Sequence, residues 1–169
     1  MWVIVTGVDG AGKTTLCSIL KDRLQMSTRK RTVADSRNPI DTVFKDLDSN
    51  IDNILWDRWN YPEDIIYNAV VENKGSDLIY RLSDIEAKLN KKGVLFVIVY
   101  AKVETLLERV NNRGDHYVTG KHLPALAREY VRFYNSTTVP TILVDSTYGF
   151  SEFDLFNIES FVRRNRECM

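Results

Sequence analysis

The 169-residue sequence predicts an α/β three-layer sandwich, a five-stranded parallel sheet with helices on both faces and a small lid. Three observations carry this. Short apolar runs alternate with helix-period segments five times, and strands joined by helical crossovers lie parallel. The strongest run, Val94 to Tyr100 (VLFVIVY), is apolar without a break, as a strand covered on both faces must be. Polar or charged residues stand at four strand exits, Gly7 to Thr14, Asp35 to Asn38, Asp57-Arg58 and Asp145. Ligands gather at such exits in open parallel sheets.

The elements follow in order. Trp2 to Thr6 (WVIVT) reads as a buried strand ending at Gly7, and Leu16, Ile19, Leu20 and Leu24 recur at helical spacing over Lys13 to Gln25. Arg29-Lys30-Arg31 reads as a solvated turn before a second strand, Thr32 to Ala34. A weak helix covers about Ile40 to Leu47, and Ile54-Leu55-Trp56 is a third strand. Pro62 suits the first turn of a helix running to about Asn73, where its missing N–H has no intrahelical partner to lose. Gly75 ends that helix, and Gly93 closes the next, Asp77 to Lys91. After the Val94 strand come helices over Val103 to Asn112 and Leu123 to Tyr134, strand Thr141 to Val144, and a last helix from Glu152 to Arg164. Nothing divides the chain, so residues 1–169 read as one domain.

At 44% hydrophobic and 27% charged, the composition is that of an ordinary globular protein. Lys+Arg and Asp+Glu balance at 23 each, so no net field draws the chain to nucleic acid, which calls for a basic patch or stripe. No apolar run approaches the ~20 residues that span a bilayer. The first strand starts at Trp2, and Cys17 and Cys168 lie in no metal-ligand spacing. A cytoplasmic protein with two reduced thiols is the expectation.

Gly7-Val-Asp-Gly-Ala-Gly12-Lys13-Thr14 fits G-x-x-x-x-G-K-[ST], with a strand before it and a helix after. Inward backbone N–H groups of such a loop form an anion nest, and the helix that follows adds the positive end of its dipole. Gly7, Gly10 and Gly12 let the backbone approach phosphates closely. Lys13 reaches the β- and γ-phosphates of ATP, and the Thr14 hydroxyl ligates Mg²⁺. Ala11 and Thr15 complete the phosphate-contacting set. The motif predicts a phosphotransferase that uses ATP and Mg²⁺.

Two further constellations narrow the acceptor. Asp57-Arg58 closes strand three, where the carboxylate can hold the metal's water shell and the guanidinium can grip an acceptor phosphate bidentately. Arg109 and Arg113, spaced i, i+4, point the same way and lead into Gly114 to Lys121, a polar stretch with glycine near both ends. That suits a lid carrying cations onto the transferring group and excluding water. The guanine-reading N-K-x-D of GTPases and the acidic pair of motor ATPases are absent.

In these motifs the chain resembles the nucleoside-monophosphate kinases, and among them the thymidylate kinases, in a short form associated with bacteriophages. GVDGAGKTT resembles that family's phosphate loop, and the resemblance implies that Asp9 contacts the acceptor's sugar. Asp35 to Pro39 (DSRNP) resembles its Arg-Glu-Pro, which would place Arg37 on the acceptor phosphate. Asp57-Arg58-Trp59 resembles its Asp-Arg-Tyr/His, and Tyr67-Asn68 a pair that meets sugar and base. Arg109 to Asp115 resembles the lid entry; with no arginine inside the phosphate loop, Arg109 and Arg113 would serve the transition state. The implied reaction is dTMP to dTDP in nucleotide biosynthesis, with a small-molecule nucleotide as partner and a homodimer allowed for. Departures are Asn38 in place of glutamate, Asp-His-Tyr-Val in the lid, and a short link between Pro39 and strand three.

Alternatives stay open at this point. A deoxynucleoside kinase would need a general base where Asn38 stands, and Asp35 could substitute. A polynucleotide 5′-kinase fits the neutral charge poorly. A non-catalytic nucleotide-binding regulator would have no use for Asp57, Arg58 and the paired arginines. On the acceptor side, a rigid Tyr67 phenol could fill the space of a ribose 2′-hydroxyl, and the Asn68 amide could read a pyrimidine edge; equally, Tyr67 could simply pack in the core.

Overall fold

The computed structural model describes residues 1–32, 37–114 and 118–167. Five strands, β1 (Trp2–Gly7), β2 (Ser27–Lys30), β3 (Ile54–Asp57), β4 (Val94–Tyr100) and β5 (Thr141–Asp145), form one parallel sheet in the order β2-β3-β1-β4-β5. Helices α1 (Lys13–Leu24), α2 (Pro39–Asp48), α3 (Asn60–Val70), α4 (Leu82–Lys91), α5 (Val103–Arg113) and α6 (Leu123–Ser136) lie in the crossovers, α3 and α4 between β3 and β4 and α5 and α6 between β4 and β5, and α7 (Glu152–Glu167) follows β5. The expected three-layer sandwich is the observed fold.

Alternation along the strands builds two cores. Val3, Val5, Leu55, Leu95, Val97 and Val99 face Leu16, Leu20, Leu106 and Ile158 on one side, while Trp2, Ile4, Trp56 and Phe96 face Val43, Ile85 and Leu89 on the other. β4 is buried on both faces up to Tyr100, as its unbroken apolar run requires.

The second strand differs from the sequence reading. It occupies Ser27–Lys30, overlapping the segment Arg29 to Arg31 read as a turn, and Thr32 lies outside any regular element; Val33 and Ala34 fall outside the described residues. β2 pairs only with β3, from Ser27 opposite Ile54 to Lys30 opposite Asp57, and all four side chains are exposed. An edge strand needs only its backbone ladder and carries no apolar pattern to read, and charge on an edge discourages pairing with other chains.

Two helices also shift. α3 begins at Asn60 and breaks at Tyr61 (φ −101°, ψ 130°), because the residue before a proline is pushed out of the helical region. It ends at Val70, three residues before the expected Asn73. The stretch read as one helix from Asp77 starts as a 3₁₀ segment, Asp77–Arg81, and becomes α4 only at Leu82.

The order of strands reverses around β1, which lies between β3 and β4. Crossovers leave its two sides toward opposite faces, opening a crevice at the carboxyl ends where the phosphate loop begins.

Candidate functional site

The loop from Gly7 to Thr14 owes its shape to its neighbours as much as to its own glycines. A Cβ on Gly7 (φ +136°) would lie 2.0 Å from the Val99 carbonyl oxygen of β4, and one on Gly10 (φ +82°) would lie 3.1 Å from the Leu106 carbonyl of α5. Both positions therefore require glycine for packing against the protein, before any phosphate arrives. Ser146, just after β5, donates its hydroxyl to the Ala11 carbonyl at 2.7 Å and ties the loop to the far side of the sheet.

Lys13 is buried and curls back over the loop, donating to the carbonyls of Gly7 (2.8 Å) and Val8 (2.9 Å), with Asp9 Oδ1 at 3.7 Å. Burial, reinforced by the charge of Arg58, lowers its pKa to about 8 despite the carboxylates of Asp9, Glu63 and Asp57 nearby. An ammonium so poorly compensated is ready to exchange two carbonyls for phosphate oxygens.

Thr14 Oγ1 donates to Asp57 Oδ2 at 2.8 Å. The other carboxylate oxygen, Asp57 Oδ1, is buried and has no hydrogen-bond partner. Among the described residues no cluster of three or more His, Cys, Asp or Glu could hold a metal by itself. One hydroxyl, one carboxylate and an unused oxygen donor instead fit Mg²⁺, which keeps several waters and binds through one or two protein oxygens plus phosphates. Lys30 Nζ, 3.8 Å from Asp57 Oδ2, adds a cation on the β2 side that sequence reasoning did not single out.

Arg58 follows Asp57 with φ +70°, a conformation rare for a residue with a side chain. It is held at both ends. Its N–H donates to the Val5 carbonyl at 3.0 Å; Nη2 donates to Asp9 Oδ1 at 2.5 Å and Nη1 to Glu63 Oε1 at 2.7 Å. Burial works against its charge, but Glu63, Tyr67 and Asp9 prevail and raise its pKa. Asp9 is the opposite case: burial raises it, while Lys13 and Arg58 pull it below the ordinary carboxylate value.

Tyr67 packs as a core residue that also makes a polar contact. It is buried in the core, and its hydroxyl donates to Asp9 Oδ2 at 2.8 Å. With Arg58 on one oxygen and Tyr67 on the other, Asp9 ties the phosphate loop to the end of β3 and to α3. Glu63 and Tyr67, i and i+4 on α3, therefore meet the same Arg58–Asp9 pair from one helix face.

Arg109 and Arg113 share a helix face, as their spacing predicts, but do different work. Arg109 donates to the carbonyls of Gly10 (3.2 Å), Ser146 (2.8 Å) and Thr147 (3.5 Å) and to Ser146 Oγ (3.2 Å). It pins the phosphate loop to the β5–α7 connection rather than standing free for a transition state. One turn further out, Arg113 is exposed and lines the phosphate cleft with Gly10, Gly12, Lys13, Thr14, Thr15 and Arg58. A second cavity is lined by phosphate-loop residues, Thr15, Arg109 and Arg113 together with Ser146, Gly149 and Phe150, and only these last three were not marked by the sequence.

The remaining site candidates are less engaged. Arg37 is exposed just before Asn38, and among the described residues neither it nor the half-buried Asn68 lines the phosphate cleft. Asn38 caps α2 by accepting from the Asp41 N–H, a structural duty that accounts for asparagine there. Asp35, the substitute base, lies outside the described residues, as do Asp115 to Tyr117 of the expected lid. Val118 is buried in the core and Gly120 packs on Leu107, so the lid segment has an apolar anchor that its sequence did not suggest.

A phosphate loop at the carboxyl end of β1, a hydroxyl–carboxylate pair beside it and this strand order define a P-loop kinase-like fold. A family model described as AAA domain matches residues 3–132. The chain belongs to that family. Among solved structures, the YorR protein of Bacillus subtilis, in complex with phosphorylated GDP, superposes with a TM-score of 0.79 at 21% identity, over 100% of this chain and 99% of that one. Deoxyadenosine kinase from M. mycoides with bound dATP gives 0.64 at 19% identity, over 96% and 100%. Polyphosphate Kinase 2 from Arthrobacter aurescens TC1 gives 0.67 at 14% identity, over 95% and 65%. At these identities the likeness is one of fold. A sequence comparison with curated proteins gives no match. No helix among the described residues is long and apolar enough to cross a membrane.

Proposed function

We propose that this protein transfers the γ-phosphoryl group of ATP·Mg²⁺ to a nucleoside monophosphate, with dTMP as the acceptor. The observation that carries the reading is the 2.8 Å contact between Thr14 and Asp57, with Asp57 Oδ1 left unpartnered and Arg58 the next residue in the same cleft. A nucleotide-binding module needs the loop; it does not need an arginine clamped by two carboxylates beside the metal's carboxylate.

Each residue then has a task. Loop N–H groups and the start of α1 hold the donor phosphates. Lys13 leaves the Gly7 and Val8 carbonyls for the β- and γ-phosphate oxygens and neutralises charge growing between them. Thr14 and Asp57 hold the divalent ion, which when bound screens the phosphate oxygens. Arg58 fixes the acceptor phosphate with its remaining N–H donors, and Arg113 covers the transferring group from the α5 side. Arg109 keeps the loop in shape. There is little covalent chemistry for the protein to perform here, so positioning and charge do most of it.

A nucleoside 5′-hydroxyl is the second reading, supported by the fold shared with a deoxyadenosine kinase. Such an acceptor needs a free carboxylate as base. Among the described residues, Asp9 and Glu63 each give an oxygen to Arg58, and Asp35, the base such an acceptor would call on, lies outside them. Measuring ADP release with ATP·Mg²⁺ against a panel of nucleosides and nucleoside monophosphates separates the two. The expected result is turnover with monophosphates, dTMP foremost; turnover with nucleosides alone would overturn the proposal.

A further inference from the structure

Among the described residues Glu63 is the most deeply buried carboxylate, 1% exposed on the first full turn of α3, and nothing in its sequence surroundings marks it. One of its oxygens receives Arg58 Nη1 at 2.7 Å; the other, Oε2, has no hydrogen-bond partner. A buried carboxylate with a bare oxygen is costly, and salt bridges at such depth commonly stabilise no better than apolar side chains of the same volume. Tyr67 and Tyr130 are also buried here, the latter with its hydroxyl 3.1 Å from Thr6 Oγ1. A leucine or methionine would suit this setting better if packing were the only demand.

What Glu63 does accomplish is geometric. Arg58 carries two terminal nitrogens, and each is bound to a different carboxylate from a different element, Asp9 in the phosphate loop and Glu63 on α3. With Asp9 alone the guanidinium would be free to rotate about that single contact and follow the loop. With both, its plane is set between the loop and α3, where Arg58 lines the cleft together with Lys13, Thr14 and Arg113. A preoriented fork loses less freedom when it takes hold of a phosphate.

We propose that Glu63 is a positioning residue for acceptor binding, which acts by fixing the orientation of Arg58. This rests on the reading of Arg58 as the acceptor-phosphate ligand, and the two can fail separately. The test uses steady-state kinetics with ATP and dTMP, and calorimetric dTMP binding, on Glu63→Gln, Arg58→Lys and the double variant. Glu63→Gln keeps the volume and one acceptor oxygen but removes the charge that holds the fork. The expected result is a rise of at least fivefold in KM and Kd for dTMP, with KM for ATP within twofold of wild type. The double variant should be no worse than Arg58→Lys alone, since both changes undo one arrangement.

A Glu63→Gln protein with unchanged dTMP affinity, or with ATP and dTMP weakened equally, would overturn the inference, as would additive effects in the double variant. If Arg58→Lys itself left dTMP affinity unchanged, the acceptor reading would fall and the role of Glu63 with it. Should Glu63→Gln not fold, Glu63→Met replaces the carboxylate with an apolar side chain of similar volume and is read in the same way.

Discussion

Replacing Lys13 with methionine should leave the protein about as stable as before while removing its activity, and the structure supplies both magnitudes. The ammonium is fully enclosed, and burial lowers its pKa from 10.5 to about 8. At about 1.4 kcal/mol per tenfold change in proton affinity, holding it charged at neutral pH costs the folded state about 3 kcal/mol. Against this stand two hydrogen bonds to the Gly7 and Val8 carbonyls, worth about 1 kcal/mol each. Methionine removes both terms, so Lys13→Met should lie within about 1 kcal/mol of wild type at pH 7, a change of about 2–4 °C in Tm. The sign of the pH dependence follows from the depressed pKa. Below about pH 8 the lysine is charged in both folded and unfolded chains and its full penalty applies. From about pH 8 to 10.5 the folded protein sheds the proton first, so wild type gains stability relative to the variant with rising pH. Turnover should fall by at least a thousandfold, about 4 kcal/mol of lost charge stabilisation. Thermal melts from pH 7 to 10.5 and ADP-release assays check the two halves. A variant that loses more than about 3 kcal/mol of stability would make Lys13 a structural clasp, and a folded variant with near wild-type turnover would refute its role in phosphoryl transfer.

Two other substitutions divide structural from chemical roles. Asp57→Asn keeps the Thr14 contact but gives the metal a neutral oxygen, so it should raise the Mg²⁺ concentration needed for half-maximal turnover at least tenfold; an unchanged Mg²⁺ titration would remove Asp57 from the metal site. Arg109→Met frees the carbonyls of Gly10, Ser146 and Thr147, and should lower stability by about 2–4 kcal/mol and weaken ATP before it lowers kcat. A stable protein with ATP affinity intact and kcat alone reduced would restore Arg109 to the transition state.

Much of this protein is legible from residue order alone, for physical reasons. The phosphate loop is a contiguous motif, and its glycines, lysine and threonine act through neighbouring backbone, so Gly7 to Thr14 carries its own evidence. β4 announces itself because a strand covered on both faces is built almost wholly from apolar residues. Helix spacing correctly placed Arg109 and Arg113 on one face. Asp57 and Arg58 were recognisable as the charged exit of an apolar strand.

What a side chain touches across the sheet is another matter. The second strand was expected at Thr32 to Ala34 and lies at Ser27–Lys30, because an exposed edge strand shows no apolar pattern to place it. Gly7 looked like a phosphate contact, yet the Val99 carbonyl on the neighbouring strand already forbids a Cβ there. Arg109 looked like a free lid cation; the fold brings Ser146 and Thr147, far along the chain, close enough to occupy it. Asp9, Arg58, Glu63 and Tyr67 come from the loop, the end of β3 and α3, and only their convergence makes them one hydrogen-bonded cluster. Local sequence determines which groups are available and the backbone conformation that bears them, whereas partners separated by tens of residues are chosen by packing, and it is those partners that decide whether an arginine binds a substrate or holds a loop.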